Sequence, residues 1–203
     1  MAKIAIIYYS TYGHTYRLAQ SVEEGAKSAG AETRLRKVRE LAPDEVIATQ
    51  QGWADHRIAT QHIREATLED LEWADGYAFG TPTRFGGPSA QLKQFLDTAG
   101  PLWQKGTLSD KPVTSFTGAM NAHGGQESTI LGLNNVFYHW GCVIISMGYT
   151  NPVIYESGGN PYGTSNTASA DGKIEEAVLK TAFYQGERLA KFTGILSQSL
   201  RPA

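Results

Sequence analysis

The feature that most restricts the fold is an unbroken apolar run near the amino terminus, Ile4-Ala5-Ile6-Ile7-Tyr8-Tyr9. A strand with one wet face alternates apolar and polar residues. A short run without alternation, rich in β-branched residues, fits a strand buried on both faces, as in a parallel sheet. Ser10-Thr11-Tyr12-Gly13-His14-Thr15 follows, and then a helical pattern with Leu18, Ala19, Val22, Ala26 and Ala29 on one face and Gly30 placed to end it. The succession repeats. Thr33–Val38 alternates and is charged, which suits an edge strand. Gly76–Gly80 predicts a third strand, with Leu92, Phe95 and Leu96 marking the next helix. Val113–Thr117 predicts a fourth strand, and Ile130, Leu131, Val136, Phe137 and Trp140 mark a helix over about 126–140. Cys142–Met147 predicts a fifth strand and Ile174–Phe192 a closing amphipathic helix.

Strands alternating with helices imply an α/β fold with a doubly wound parallel sheet. Five strands suggest the flavodoxin-like order 2-1-3-4-5. The expectation is one domain over residues 1–203 with a long loop insertion at about 150–172. That insertion is mostly Gly, Asn, Ser, Thr and Pro, so it is either a functional loop or disordered. Residues 39–72 are polar and acidic, which predicts loop and short helix and supports no functional assignment. In a doubly wound sheet the ligand sits beyond the carboxyl ends of the strands. The loops after strands one, three and four meet there.

Composition narrows the class. Hydrophobic residues are 41% and charged residues 19%, outside the disordered range. A single cysteine, Cys142, excludes an internal disulfide, and no metal-ligand spacing is present. Cys142 is expected in a strand as an inert buried thiol. Net charge is −2 and no Lys/Arg cluster suggests nucleic-acid binding. No segment offers the ~20 apolar residues of a membrane span, and the amino terminus lacks the apolar core of a signal peptide. The expected location is the cytoplasm.

Ser10–Thr15 places three hydroxyl residues and a glycine before a helix N-terminus, where free N–H groups and the helix dipole favour an anion. There is no P-loop lysine and no GxGxxG, so a single terminal phosphate held by neutral donors fits better than a triphosphate or a pyrophosphate. A Ser/Thr-rich helix cap explains the same residues. In Thr81-Pro82-Thr83-Arg84-Phe85-Gly86, Arg84 and Phe85 fit the edge and cover of a planar ring, or a surface charge and a core aromatic. Thr117-Gly118-Ala119-Met120-Asn121-Ala122-His123-Gly124-Gly125 offers small residues and exposed amides to a heterocycle, and His123 there reads as structural.

Ser10–Thr15, Gly80-Thr-Pro-Thr-Arg-Phe-Gly86, Gly124-Gly-Gln-Glu127 and Pro161-Tyr-Gly163 resemble the WrbA family, flavodoxin-like NAD(P)H:quinone oxidoreductases, from Lys3 to about Gly194. The resemblance implies noncovalent FMN, with NAD(P)H and quinones as substrates. It puts the phosphate loop on Ser10, Thr11, Tyr12, Gly13, His14 and Thr15, and the ring loop on Pro82, Thr83, Arg84, Phe85 and Gly86. The third loop falls on Ala119, Met120, Asn121, Ala122, His123 and Gly124, where the family has a Thr/Gly run one residue shorter. Trp103 and His139 match its pocket tryptophan and histidine, and Tyr12 its nicotinamide-contacting tyrosine. The family forms homodimers and homotetramers.

The chemistry such residues support is the flavin's, with the protein supplying position and charge. The three loops contain no Asp or Glu, one Arg and two His. That surround favours the anionic two-electron-reduced flavin and ping-pong electron transfer, against a flavodoxin-type one-electron carrier. A non-enzymatic regulatory module is the third reading. Between Pro112 and Tyr155 the only charged residue is Glu127. The helix in that span carries Ser128, Thr129, Asn134, Asn135, Tyr138 and His139 where a solvated face would carry charge, which predicts either an intersubunit surface or cover by residues 150–172.

Overall fold

The opening run forms β1 (Lys3–Tyr8), with Ile4, Ala5, Ile6 and Ile7 fully buried. A computed structural model describes residues 1–168 and 172–199; residues 169–171 of the expected insertion and the last four residues of the chain lie outside the described residues. Alternate side chains of β1 enter two separate apolar layers. Ala5, Ile7 and Tyr9 join Phe79, Leu92 and Phe137 on one face, and Ile4, Ile6 and Tyr8 join Leu18, Val22 and Phe116 on the other. This double burial explains the missing alternation in the sequence.

β1 lies between β2 (Glu32–Lys37) and β3 (Gly76–Arg84), parallel to both. β3 pairs with a two-residue β4 (Gly87–Pro88) in a hairpin and with the parallel β5 (Pro112–Ala119). With β6 (Val143–Ile144) the order is β2-β1-β3-β5-β6, the expected 2-1-3-4-5 once the hairpin strand is set aside. Helices α1 (His14–Ser28) and α9 (Glu176–Ser199) cover one face. The other face is covered by α4 (Leu68–Trp73), α5 (Ala90–Asp97), α6 (Gly100–Gln104) and α7 (Gln126–Trp140). In the polar segment 39–72, α2 (Asp44–Ala48) and α3 (Gln51–Ala59) precede α4, so short helices form there as expected.

The fifth strand departs from expectation. Only Val143 and Ile144 pair with β5, and Ile145 N–H adds one bond to Val113 O at 2.8 Å. The chain then turns away at Gly148, in the left-handed region at φ 55, and forms α8 (Val153–Glu156). It returns as β7 (Ser165–Thr167), parallel to Thr117–Ala119 of β5. The insertion thus interrupts the strand and completes it with other residues. Ile145 and Met147 remain buried after the pairing stops, so their apolar pattern extended the expected strand too far. Cys142 precedes β6 and is half-buried. Its thiol donates to Leu108 O at 3.4 Å, and burial pushes it up to about 12, which keeps it unreactive.

The returning segment is held by Gln185 of α9. Its Oε1 accepts from Thr164 N–H at 3.0 Å, and its Nε2 donates to Thr114 Oγ1 and Ser115 O, each at 2.7 Å. Among the described residues no helix is long and apolar enough to cross a membrane.

α1 and α9 cross at Gly25 and Gly186. A Cβ at Gly186 would lie 1.9 Å from Val22 O, and one at Gly25 1.9 Å from Phe183 O, so the helices touch backbone to backbone. Gly186→Ala should therefore destabilise the protein by about 1–3 kcal/mol, the usual cost of overpacking. Gly194→Ala on the same helix meets open space and should be neutral or stabilising, since Ala is the better helix former. Thermal unfolding of the two variants checks both outcomes.

Candidate functional site

The carboxyl ends of β1, β3 and β5 lie side by side, and the loops beyond them enclose a cavity of about 250 Å³. The first wall is Ser10, Thr11, Tyr12, His14 and Thr15. Gly13, at φ 93, turns the chain into α1, and its N–H donates to Ser10 Oγ at 3.0 Å. Among the described residues no side chain caps α1, and no carboxylate occupies its first turn. The first-turn N–H groups have no intrahelical acceptor. The Ser/Thr cap that was an open alternative is therefore not formed: Ser10 folds the loop, and the helix N-terminus is left available to an anion.

The second wall is Pro82, Thr83 and Arg84, at the end of β3. Its hydroxyls are structural. Thr81 Oγ1 accepts from Ser89 N–H at 2.9 Å, and Thr83 Oγ1 accepts from Thr129 Oγ1 at 3.1 Å and meets Thr117 Oγ1 at 3.2 Å. Arg84 Nη2 donates to Thr11 Oγ1 at 2.8 Å, joining the first two loops. Phe85 sits at φ 51 with its ring fully exposed, so it belongs to no core. Gly86 packs on the start of α7, where a Cβ on Gly125 would come within 2.8 Å of Gly86 Cα.

The third wall is Gly118, Ala119 and Met120. Asn121, Ala122 and His123 are exposed and leave the cavity wall, and Gly124 closes a turn through Gly124 N–H to Asn121 O at 3.1 Å. Trp103 and His139 meet each other, through Trp103 Nε1 donating to His139 O at 2.8 Å. Both are exposed, and neither lines the cavity of its own chain. On α7, Thr129 and Asn134 face inward and are buried, contrary to the expected outer face. The outward set is Glu127, Ser128, Leu131, Asn135, Tyr138 and His139.

Sequence reasoning missed Asn166 and Ala168, which line the cavity from β7 and just beyond it. They lie in a Gly/Asn/Ser/Thr-rich run where nothing distinguishes them. It also missed α3. Tyr12 OH donates to Gln50, the Tyr12 ring lies over Gly52, and His56 stands beside Gly13. No Asp or Glu lines the cavity among the described residues, whereas Arg84 and His14 do.

A larger hollow of about 400 Å³ lies behind the first loop, between the ends of β1 and β2 and helices α2 and α3. Glu40 is its fixed point. Burial opposes its charge, but Tyr9, Trp53, Gln91 and the N–H groups of Leu41 and Ala42 all donate to it and hold the carboxyl below its ordinary range.

Residues 2–151 match the family described as NADPH-dependent FMN reductase. A protein of Deinococcus radiodurans named NAD(P)H dehydrogenase (quinone) is 47% identical over 173 residues, covering 85% of this chain and 86% of its own. One of the same name from Aromatoleum aromaticum is 42% identical over 201 residues, 96% of this chain and 97% of its own. The crystal structure of a flavodoxin, WrbA-like protein from Agrobacterium tumefaciens superposes with TM-score 0.69 at 26% identity, over 97% of this chain and 99% of that one.

If the first loop holds a phosphate, Ser10→Ala and Thr15→Ala should each weaken FMN binding by about 1–3 kcal/mol, the range for unpairing a charged acceptor. Fluorescence titration measures this directly, and unchanged affinity in both variants would remove the loop from the site.

Proposed function

The chain belongs to the NADPH-dependent FMN reductase family, and on that premise we propose that it reduces quinones with NAD(P)H, two electrons at a time, through noncovalently bound FMN. The observation that carries this reading is an uncapped helix N-terminus opening onto a cavity with no carboxylate in its described lining. Neutral hydroxyls and free N–H groups suit a phosphate dianion, and Pro82, Ala119 and Met120 supply an apolar wall for a planar ring.

FMN, when bound, supplies the redox chemistry, accepting an electron pair from NAD(P)H and releasing it to a quinone. The chain's residues position and polarise. Ser10, Thr11, Tyr12, Gly13, His14 and Thr15 hold the phosphate end. Pro82, Thr83, Arg84, Phe85 and Gly86 form the loop at the ring edge, with Arg84 as its cation. Ala119 and Met120 lie opposite, and Asn121, Ala122, His123 and Gly124 continue that loop to the surface. With FMN bound, Arg84 and a described lining without carboxylates would favour two-electron over one-electron chemistry, since nearby opposite charge stabilises ionised forms. This separates the protein from a one-electron carrier.

Trp103 and His139, exposed and joined to each other, act in this reading on the pocket of a neighbouring copy. The support is the outward face of α7, where Leu131, Asn135, Tyr138 and His139 are exposed and only Glu127 is charged. The described part of 150–172 leaves that face open. We infer a homo-oligomer, dimer to tetramer, working in the cytoplasm.

Two measurements test the reading. Initial rates of the FMN-loaded protein with NADH or NADPH and benzoquinone should give parallel double-reciprocal lines, because one face of the ring serves both substrates in turn. Absence of turnover with either nucleotide contradicts the proposal. Tyr138→Asp would bury an unpaired charge, costing several kcal/mol if α7 is an interface, and should split the assembly in sedimentation. A monomeric wild type, or a variant that keeps its mass and activity, overturns the assembly.

A further inference from the structure

We propose that His56, outside the three cofactor loops, is the counter-ion of the flavin phosphate. The inference rests on the FMN reading above.

The phosphate loop has no Lys or Arg of its own, and the imidazole within it is engaged: His14 Nε2 meets Gly172 O at 3.0 Å. Apart from the neutral donors, Arg84 reaches the loop by donating to Thr11, and a second cation would balance the remaining charge of a dianion. α3 buries none of its own residues and leans on the loop instead, through Gln50 and Gly52 against Tyr12. One turn further on, His56 lines the neighbouring hollow and not the cavity itself, but its Nδ1 lies 3.3 Å from where a Cβ on Gly13 would stand, against the loop that separates the two. Its ring is half-buried and tilted against Tyr16, with centroids 5.6 Å apart. Neither ring nitrogen has a hydrogen-bond partner or carboxylate among the described residues.

The charged groups around it are accounted for. From β2, Lys37 donates to Thr60 O at 2.7 Å, and from α1 come His14 and the neutral Tyr16. On α3 itself Arg57 is paired with Asp44 of α2. Across the hollow, Glu40 is saturated by its donors, Tyr9 is one of them, Glu65 lies on the side of Lys37, and Arg39 is exposed. Burial, Lys37 and His14 together hold the free imidazole below its ordinary value. A dianion seated beside Gly13 offsets that repulsion, so the imidazole takes up a proton when FMN binds.

The sign follows from linkage. The bound state keeps the proton to higher pH than the free state, so affinity is high at low pH and falls as pH rises through the bound-state pKa, by at most about tenfold per pH unit for one proton.

The test is FMN titration of the wild type, His56→Gln and His56→Arg between pH about 6 and about 8, the range in which imidazole titrates. Riboflavin, which lacks the phosphate, is the control. The wild type should lose affinity several-fold across the range and take up a proton in calorimetry. His56→Gln should bind FMN weakly with no such loss, and His56→Arg tightly at every pH. Riboflavin should show no dependence in any protein. Protonation of the FMN phosphate itself is common to all three and cancels in the comparison. If His56→Gln and His56→Arg keep the wild-type affinities and profile, His56 is not the counter-ion. If the wild type binds no FMN at any pH, the cofactor reading fails and this inference with it.

Discussion

The structure depends on one junction, the passage from the doubly buried strand β1 into helix α1. Burial on both faces fixes β1 in the middle of the sheet, so its carboxyl end cannot drift. Gly13 then reverses the chain in a conformation L-residues avoid, and α1 begins without a side-chain cap from the described residues. A helix start with unsatisfied N–H groups is tolerable where solvent or a ligand completes it. Here the N–H groups open on the place where the other loops converge, so an unsatisfied stretch of backbone coincides with the site.

The remaining loops are built to meet that point. Threonine hydroxyls at 83, 117 and 129, with the Thr81 carbonyl accepting from Thr117, tie the ends of β3 and β5 and the first turn of α7 into one largely buried network. Arg84 reaches across to Thr11. Gly86 and Gly125 let the second loop rest on α7 without an intervening side chain. The interrupted fifth strand completes the arrangement. Since β6 stops early, the free edge of β5 accepts β7, and this brings Asn166 to the cavity.

Periodicity made most of the frame legible. The runs at Ile4–Tyr9, Gly76–Gly80 and Val113–Thr117 became β1, β3 and β5, and the helix expected over 126–140 is α7. What failed was hydrogen bonding, which the side-chain pattern does not record: Ile145 and Met147 are buried but unpaired as strand. The cavity lining at Ser10, Thr11, Tyr12, His14, Thr15, Pro82, Thr83, Arg84, Ala119 and Met120 was legible from loop chemistry and resemblance. Asn166, Gln50 and His56 were not. Asn166 reaches the cavity, and Gln50 and His56 reach the first loop, by tertiary packing from segments whose local composition is only polar, and no spacing rule connects α3 to a loop some forty residues earlier.

The claim on which the account rests is that the uncapped start of α1 receives the phosphate. Backbone amide shifts of the isotopically labelled protein, followed as FMN is added, address it residue by residue. The account requires the largest changes at Thr11, Tyr12, His14 and Thr15, with smaller ones at Thr83, Arg84 and Ala119. Changes centred on Glu40 and Trp53 in the neighbouring hollow, with the amides of 11–15 unmoved, would contradict it.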